Sequence, residues 1–104
     1  MAVAESKVQK VQKSQEEIQK LWSTLRSSLH GELSPVPVKA IKDLFWSDGN
    51  NIHLHVKKDE IGVIYYHTNA GFLVKFEKET RQVFDFKGEK KEYRAEDEIV
   101  LLLP

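Results

Sequence analysis

Apolar positions in the first third of the chain recur in steps of three and four. Val8, Val11, Ile18, Trp22, Leu25 and Leu29, with Gln15 filling the one polar slot, form a heptad seam that predicts a long helix over residues 4–30. Such a helix measures about 40 Å at 1.5 Å per residue, roughly twice a typical strand, and is expected to overhang whatever it packs on. From Ile18 onward Leu21 widens the stripe to that of a helix lying on a globular core. The earlier half is weaker, two valines and a glutamine among lysines and glutamines. The seam thus divides into a core-facing half and a half free to meet another chain.

Gly31 reads as a helix C-cap, and Ser34-Pro35-Val36-Pro37 as a stiff extended elbow. A short second helix is predicted over residues 37–46, with Val38, Ile41, Leu44 and Phe45 on one side, ended by a turn at Ser47-Asp48-Gly49-Asn50. Past Asn50 the period falls to two. Ile52, Leu54 and Val56 alternate with His53, His55 and Lys57, and a turn at Lys58-Asp59 leads into an answering strand over residues 61–68. A turn at Asn69-Ala70 then brings Phe72, Val74 and Phe76 opposite His67, Tyr65 and Val63, giving three strands one apolar face. The loop at residues 78–81 leaves two parities open: an even loop sends Phe84 and Phe86 to the other face, an odd one keeps them in the core. Gly88-Glu89 suits a tight turn that sets Tyr93 across from Phe84. The apolar run over residues 99–103 fits a buried strand or a helix end equally well.

The fold class expected is α+β. A long N-terminal helix and a short second helix pack on one face of a mainly antiparallel meander of roughly four to six strands over residues 51–104, all in a single domain, residues 1–104.

Charge and cysteine content narrow the function classes. The 16 basic and 16 acidic side chains cancel, so total charge calls for neither nucleic acid nor an anionic membrane. There is no cysteine, which excludes disulfides and thiolate metal sites and, with no signal-type apolar core at the start and no apolar run of membrane-spanning length, points to an intracellular, cytoplasmic protein. No cofactor and no small-molecule substrate is indicated.

His53 and His55 leave the same face of one strand, as two metal ligands or an acid–base pair must. No third nitrogen joins them, since His67 falls on the opposite face and His30 ends the helix, and Glu77 lies two strands away, so no metal site is expected. As a ribonuclease-like pair they would use the space left by Gly62 beside His55, but Arg26, Arg81 and Arg94 are scattered in sequence and supply no evident stabiliser. Phosphate-cradling loops, nucleophile elbows and paired-carboxylate motifs are absent, which points away from an enzyme.

The remaining signals concern binding. Lys7, Lys10, Lys13 and Lys20 line the first helix, where, interleaved with glutamines and followed by Glu16 and Glu17, they fit an ordinary solvated face better than a nucleic-acid stripe. Ile64, Tyr66 and Leu73 are expected to form an apolar patch on the sheet face opposite the helices. Two helices followed by an antiparallel meander resembles the layout of RelE/ParE-type toxins; that resemblance, one of topology, implies a small ribonuclease, and no toxin motif carries onto this chain residue by residue.

The expected function is a protein-interaction or assembly module, a coiled-coil or homo-oligomer contact through Val8, Val11 and Gln15 together with Ile64, Tyr66 and Leu73. The alternative is a nucleic-acid binder or small ribonuclease using His53, His55 and the helix lysines. A third reading, a regulator that blocks another protein with the charged segment over residues 89–98, competes with that segment's being a solvated loop.

Overall fold

A single interrupted hairpin, running from residue 31 to residue 68, sets the architecture of the β-rich part of the chain. The computed structural model describes the backbone of residues 2–102 and the side chains of residues 15–102. The described residues fall into two compact units, one ending at Leu29 and the other running from His30 to Leu102.

The first unit is the helix α1, Ala2–Ser27. It stops short of Gly31 because Ser28 turns back on it, both its N–H and its hydroxyl donating to the Leu25 carbonyl at 3.2 and 2.6 Å. Leu29, expected in the apolar seam, lies beyond the helix and is 90% exposed. One turn before the end the Arg26 guanidinium sits 5.1 Å from the Trp22 ring centre, a cation–π contact.

The second unit is built of strands. Strands β1 (Gly31–Ala40), β2 (Leu44–Ser47), β3 (Ile52–Val56) and β4 (Ile61–Thr68) form two ladders in series, β1 on β4 and β2 on β3, with the tip at residues 48–51. The corner between the ladders is tied by Asp59 N–H to the Ala40 carbonyl at 2.8 Å and by Lys58 N–H to the Asp43 carboxylate at 2.8 Å, with Asp59 at φ 76°. Strands β5 (Gly71–Phe76), β6 (Thr80–Phe84) and β9 (Ile99–Leu101) complete an antiparallel sheet of order β6-β5-β4-β1-β9. A small pair, β7 (Phe86–Lys87) with β8 (Glu92–Tyr93), and a 3-10 turn, Ala95–Asp97, link β6 to β9.

The expected fold class is overturned. The described residues hold one α-helix, and residues 37–46 are the end of β1, a bend over residues 41–43 and most of β2, not a second helix. Val36, Val38 and Ala40 alternate as strictly as Val38, Ile41 and Leu44 recur, so both periods fit this window. Tertiary pairing decides. Val38 lies between Gly62 of β4 and Leu101 of β9, so β1 is hydrogen-bonded on both sides. The expected β3–β4 hairpin at Lys58-Asp59 is likewise replaced, because β3 pairs with β2 and β4 with β1 and β5.

One face of the sheet is the core. It comprises Val38 and Ala40, Ile64, Phe72, Val74 and Phe76, Val83, Ile99 and Leu101, all at most 2% exposed. Parity in β4 is set by a bulge: Ile64 pairs with Val74 but Tyr66 with Leu73, so Tyr65 is an extra residue. Counting through Tyr65 without the bulge puts Val63 and Tyr65 in the core. With it, Gly62 and Ile64 face inward instead, while His67 is buried opposite Phe72 as expected. Gly62 does not leave space beside His55: a side chain there would meet the Phe76 ring and the Lys75 carbonyl at 2.8 Å. The 78–81 question closes on the even side. Phe76 N–H bonds the Glu79 carbonyl at 2.7 Å, Val83 faces the core and Phe84 is exposed. Residues 99–101 are strand.

Gly71 fixes the seam between β5 and β6. At φ 142°, a β-carbon there would overlap the Val83 carbonyl oxygen and come within 2.8 Å of the Asp85 nitrogen. Gly49 at the hairpin tip, φ 96°, has open space around it. Gly71→Ala is therefore expected to cost about 3 kcal/mol or more, and Gly49→Ala about 1 to 2 kcal/mol, in urea unfolding.

Candidate functional site

The β2–β3 ladder forms an arm whose base pair, Leu44 and Val56, is buried and whose outer part bears large apolar side chains left half or more exposed. Phe45 pairs with Leu54 and Trp46 with His53; Phe45, Trp46 and Leu54 are nearly half exposed and Ile52 is 75% exposed. The arm forms because β-branched and aromatic residues flank a turn-rich tip. The Asp48 carboxylate accepts the Asn50 and Asn51 N–H groups at 3.0 and 2.8 Å, and the Ser47 hydroxyl accepts that of Gly49 at 3.1 Å.

Arg81 seats the arm on the sheet. It lies opposite Val74 and on the same face of β6 as buried Val83, so its stem enters from the core side. Its NH1 donates to the Phe45 carbonyl at 2.8 Å and lies 3.4 Å from His55 Nδ1; its NH2 is 3.5 Å from Glu98 Oε1. The other nitrogen of His55 is 3.0 Å from Glu79 Oε2. One guanidinium thus joins β6, both strands of the arm and the residue preceding β9, the opposite edge of the sheet. Arg81 Nε and Glu98 Oε2 are buried without a hydrogen-bond partner, so the closure is incomplete. A cavity of about 340 Å³ lies against this joint, lined by Phe45, Trp46, His55, Thr80, Arg81, Gln82 and Phe84.

Beside it, three rings pack on one another. Phe86 and Tyr93 stack at 4.8 Å, and Phe84 stands 6.0 and 5.9 Å from them, with Lys91 Nζ 4.9 Å from the Tyr93 ring centre. Tyr93 therefore pairs with Phe86 across the ladder, not with Phe84. In the charged segment over residues 89–98, Arg94 contacts Glu92 and Glu96 at 3.6 and 3.0 Å, which offsets its acidity locally.

The histidines do not converge. His53 Nε2 is 3.2 Å from Asp48 Oδ2 and its ring stacks on Trp46 at 4.5 Å, while His55, the bulged residue of β3 with no partner on β2, turns to Glu79 and Arg81. Each ring has its own carboxylate, so the pair lacks the shared reaction centre that acid–base catalysis requires. Among the described residues no group of three or more His, Cys, Asp or Glu side chains is placed to hold a metal. The expected sheet patch also separates. Tyr66 is exposed and lies across from half-buried Leu73, but Ile64 is fully buried on the opposite face. Gln15 and Lys20 are exposed on α1; the side chains of Lys7, Val8, Lys10, Val11 and Lys13 lie outside the described residues. No described helix is long and apolar enough to cross a membrane.

The arm and Arg81 are what reading by period missed. A helical period over residues 37–46 puts Phe45 on the apolar helix face and gives Trp46 no place in it. The overlooked signal was symmetry: apolar runs on both sides of Ser47-Asp48-Gly49-Asn50-Asn51 make a hairpin signature.

Two outcomes follow from this geometry. Arg81→Met strands the mostly buried Glu98 carboxylate and is expected to cost about 2 kcal/mol, with Arg81→Lys recovering less than half because a single ammonium does not span three acceptors. Chemical denaturation of Arg81→Met, Arg81→Lys, Glu98→Gln and the Arg81→Met/Glu98→Gln pair checks this, the pair being less destabilised than the sum of its two single variants. The Asn51 and Asn50 N–H groups, then His53, hold the Asp48 carboxyl below its ordinary 3.8. A depressed carboxylate stabilises above its unfolded value, so Asp48's contribution is present above that pH and disappears as pH falls through the lower folded value. Carbon-detected titration is expected to place its midpoint below those of exposed aspartates, and Asp48→Asn to flatten this part of the acid-stability profile.

No protein-family model, no curated protein sequence and no solved structure matches the chain.

Proposed function

We propose that the chain is a protein-interaction module whose contact surface is the β2–β3 arm. The observation that carries this reading is the clustering of Phe45, Trp46, Ile52 and Leu54 as exposed side chains on one short ladder. Scattered exposed apolar residues are ordinary, but Phe45, Ile52 and Leu54 share one face of the ladder while Trp46 stands exposed with His53 on the other, and such a concentration on one short element marks a contact surface. Aromatic side chains supply much buried area at low entropic cost, which suits a small surface. Tyr66 with Leu73 is a second, smaller apolar feature, and exposed Gln15 keeps the N-terminal helix as a further candidate contact. The nucleic-acid reading has less support, because His53 and His55 each face a carboxylate that repels phosphate.

A photoreactive amino acid in place of Leu54, with a matched substitution at Lys90 on the β7–β8 turn as control, tests this in cells. Irradiation is expected to give a polypeptide adduct at position 54, either a second copy or another protein, well above the control. Equal, background-level labelling at both positions in folded protein would sink the reading.

A further inference from the structure

The hydrogen bonds around His55 select the tautomer of its neutral ring. A guanidinium has only donors to offer, so Arg81 NH1, 3.4 Å away, makes Nδ1 an acceptor. The neutral ring then bears its proton on Nε2, which donates to Glu79 at 3.0 Å. Adding a second proton places it on Nδ1, where an N–H would face the Arg81 N–H. Two donors and two positive charges then oppose each other at the one contact linking Arg81 to β3.

The charged groups around the ring come from three elements. Glu79 stands on the β5–β6 turn and Arg81 on β6, while Glu98, before β9, reaches the ring only through Arg81. Protonation strengthens the Glu79 contact and breaks the Arg81 contact. The same NH1 also holds the Phe45 carbonyl, so displacing it loosens β2 as well.

We propose that the seat of the arm is a proton-sensitive joint. With His55 neutral, Arg81 binds both strands of the arm. With His55 charged, Arg81 leaves it, Glu79 remains the side-chain tie to His55, and the arm pivots on its buried base pair, Leu44 and Val56, so that the aromatic cavity between arm and sheet widens. This concerns how the arm is held and stands whether or not the arm binds a protein.

Imidazole nitrogen shifts of the full chain give the first test, stepping from about pH 8 to about pH 5, the range in which histidines titrate. At the upper end His55 is expected as the Nε2–H tautomer, and on protonation the Arg81 side-chain N–H signals shift with the same midpoint. Amide hydrogen exchange gives the second. After correction for intrinsic rates, protection of β2 and β3 is expected to fall by about threefold or more relative to β4 and β5 across that range. His55→Gln, whose amide offers an acceptor and a donor at every pH, abolishes the response, whereas His53→Gln keeps it. An Nδ1–H tautomer at pH 8, or arm amides that follow β4 and β5 throughout in the unsubstituted protein, overturns the joint even if His55→Gln does not fold.

Discussion

Arg81 is the side chain at which both edges of the sheet and the arm meet. A curled antiparallel sheet with β6 and β9 at its edges has no backbone ladder to join them, and Arg81 with Glu98 spans that gap by a charge pair instead. A guanidinium suits the task because its planar fork reaches several acceptors at fixed angles from one stem. It also explains why a neutral chain with few arginines buries most of one beside its core. The arrangement is only partly satisfied, and the unpaired Nε and Oε2 identify where the closure is weakest. Strength at this seam comes from geometry shared among Phe45, His55 and Glu98, not from a single strong bond.

What could be read from the residues divides along physical lines. Turns encoded by local chemistry were legible: Asp48 with Gly49 at the tip, and Asn69-Ala70 before Gly71, where the Ala70 N–H meets the Thr68 hydroxyl at 3.0 Å. Parity inside β4 was not, because Ile61, Val63, Ile64, Tyr65 and Tyr66 are apolar or aromatic on both faces and nothing local announces the bulge at Tyr65. Residues 37–46 satisfy two periods at once, and only the partners of β1 on either side choose between them. Both effects bear on the candidate site. Without the bulge Ile64 counts onto the outer face, and a helical period absorbs Leu44 and Phe45 of the arm. Arg81 stands isolated in the sequence because Glu98, Phe45 and His55 are near it in space and distant along the chain.

The same arrangement sets a tension between closure and contact. Trp46 and Phe45 remain exposed because the arm is buried only at its base, through Leu44 and Val56, and is held above that by polar atoms, a backbone carbonyl and an imidazole, and not through its rings. Had the rings themselves made the seat, the arm would be fixed more firmly and would offer nothing apolar outward. Polar seating leaves the aromatic surface available and makes its position depend on charge.

The corner at Asp59 has a further consequence. Because the two ladders are separately registered on either side of it, the length of the arm is decoupled from the register of the sheet. Residues added in pairs at the tip would extend β2 and β3 beyond Trp46 and His53 while leaving Phe45, His55 and every sheet pairing where they are. The fold thus has a built-in axis of variation, along which reach can change across generations without renegotiating the core.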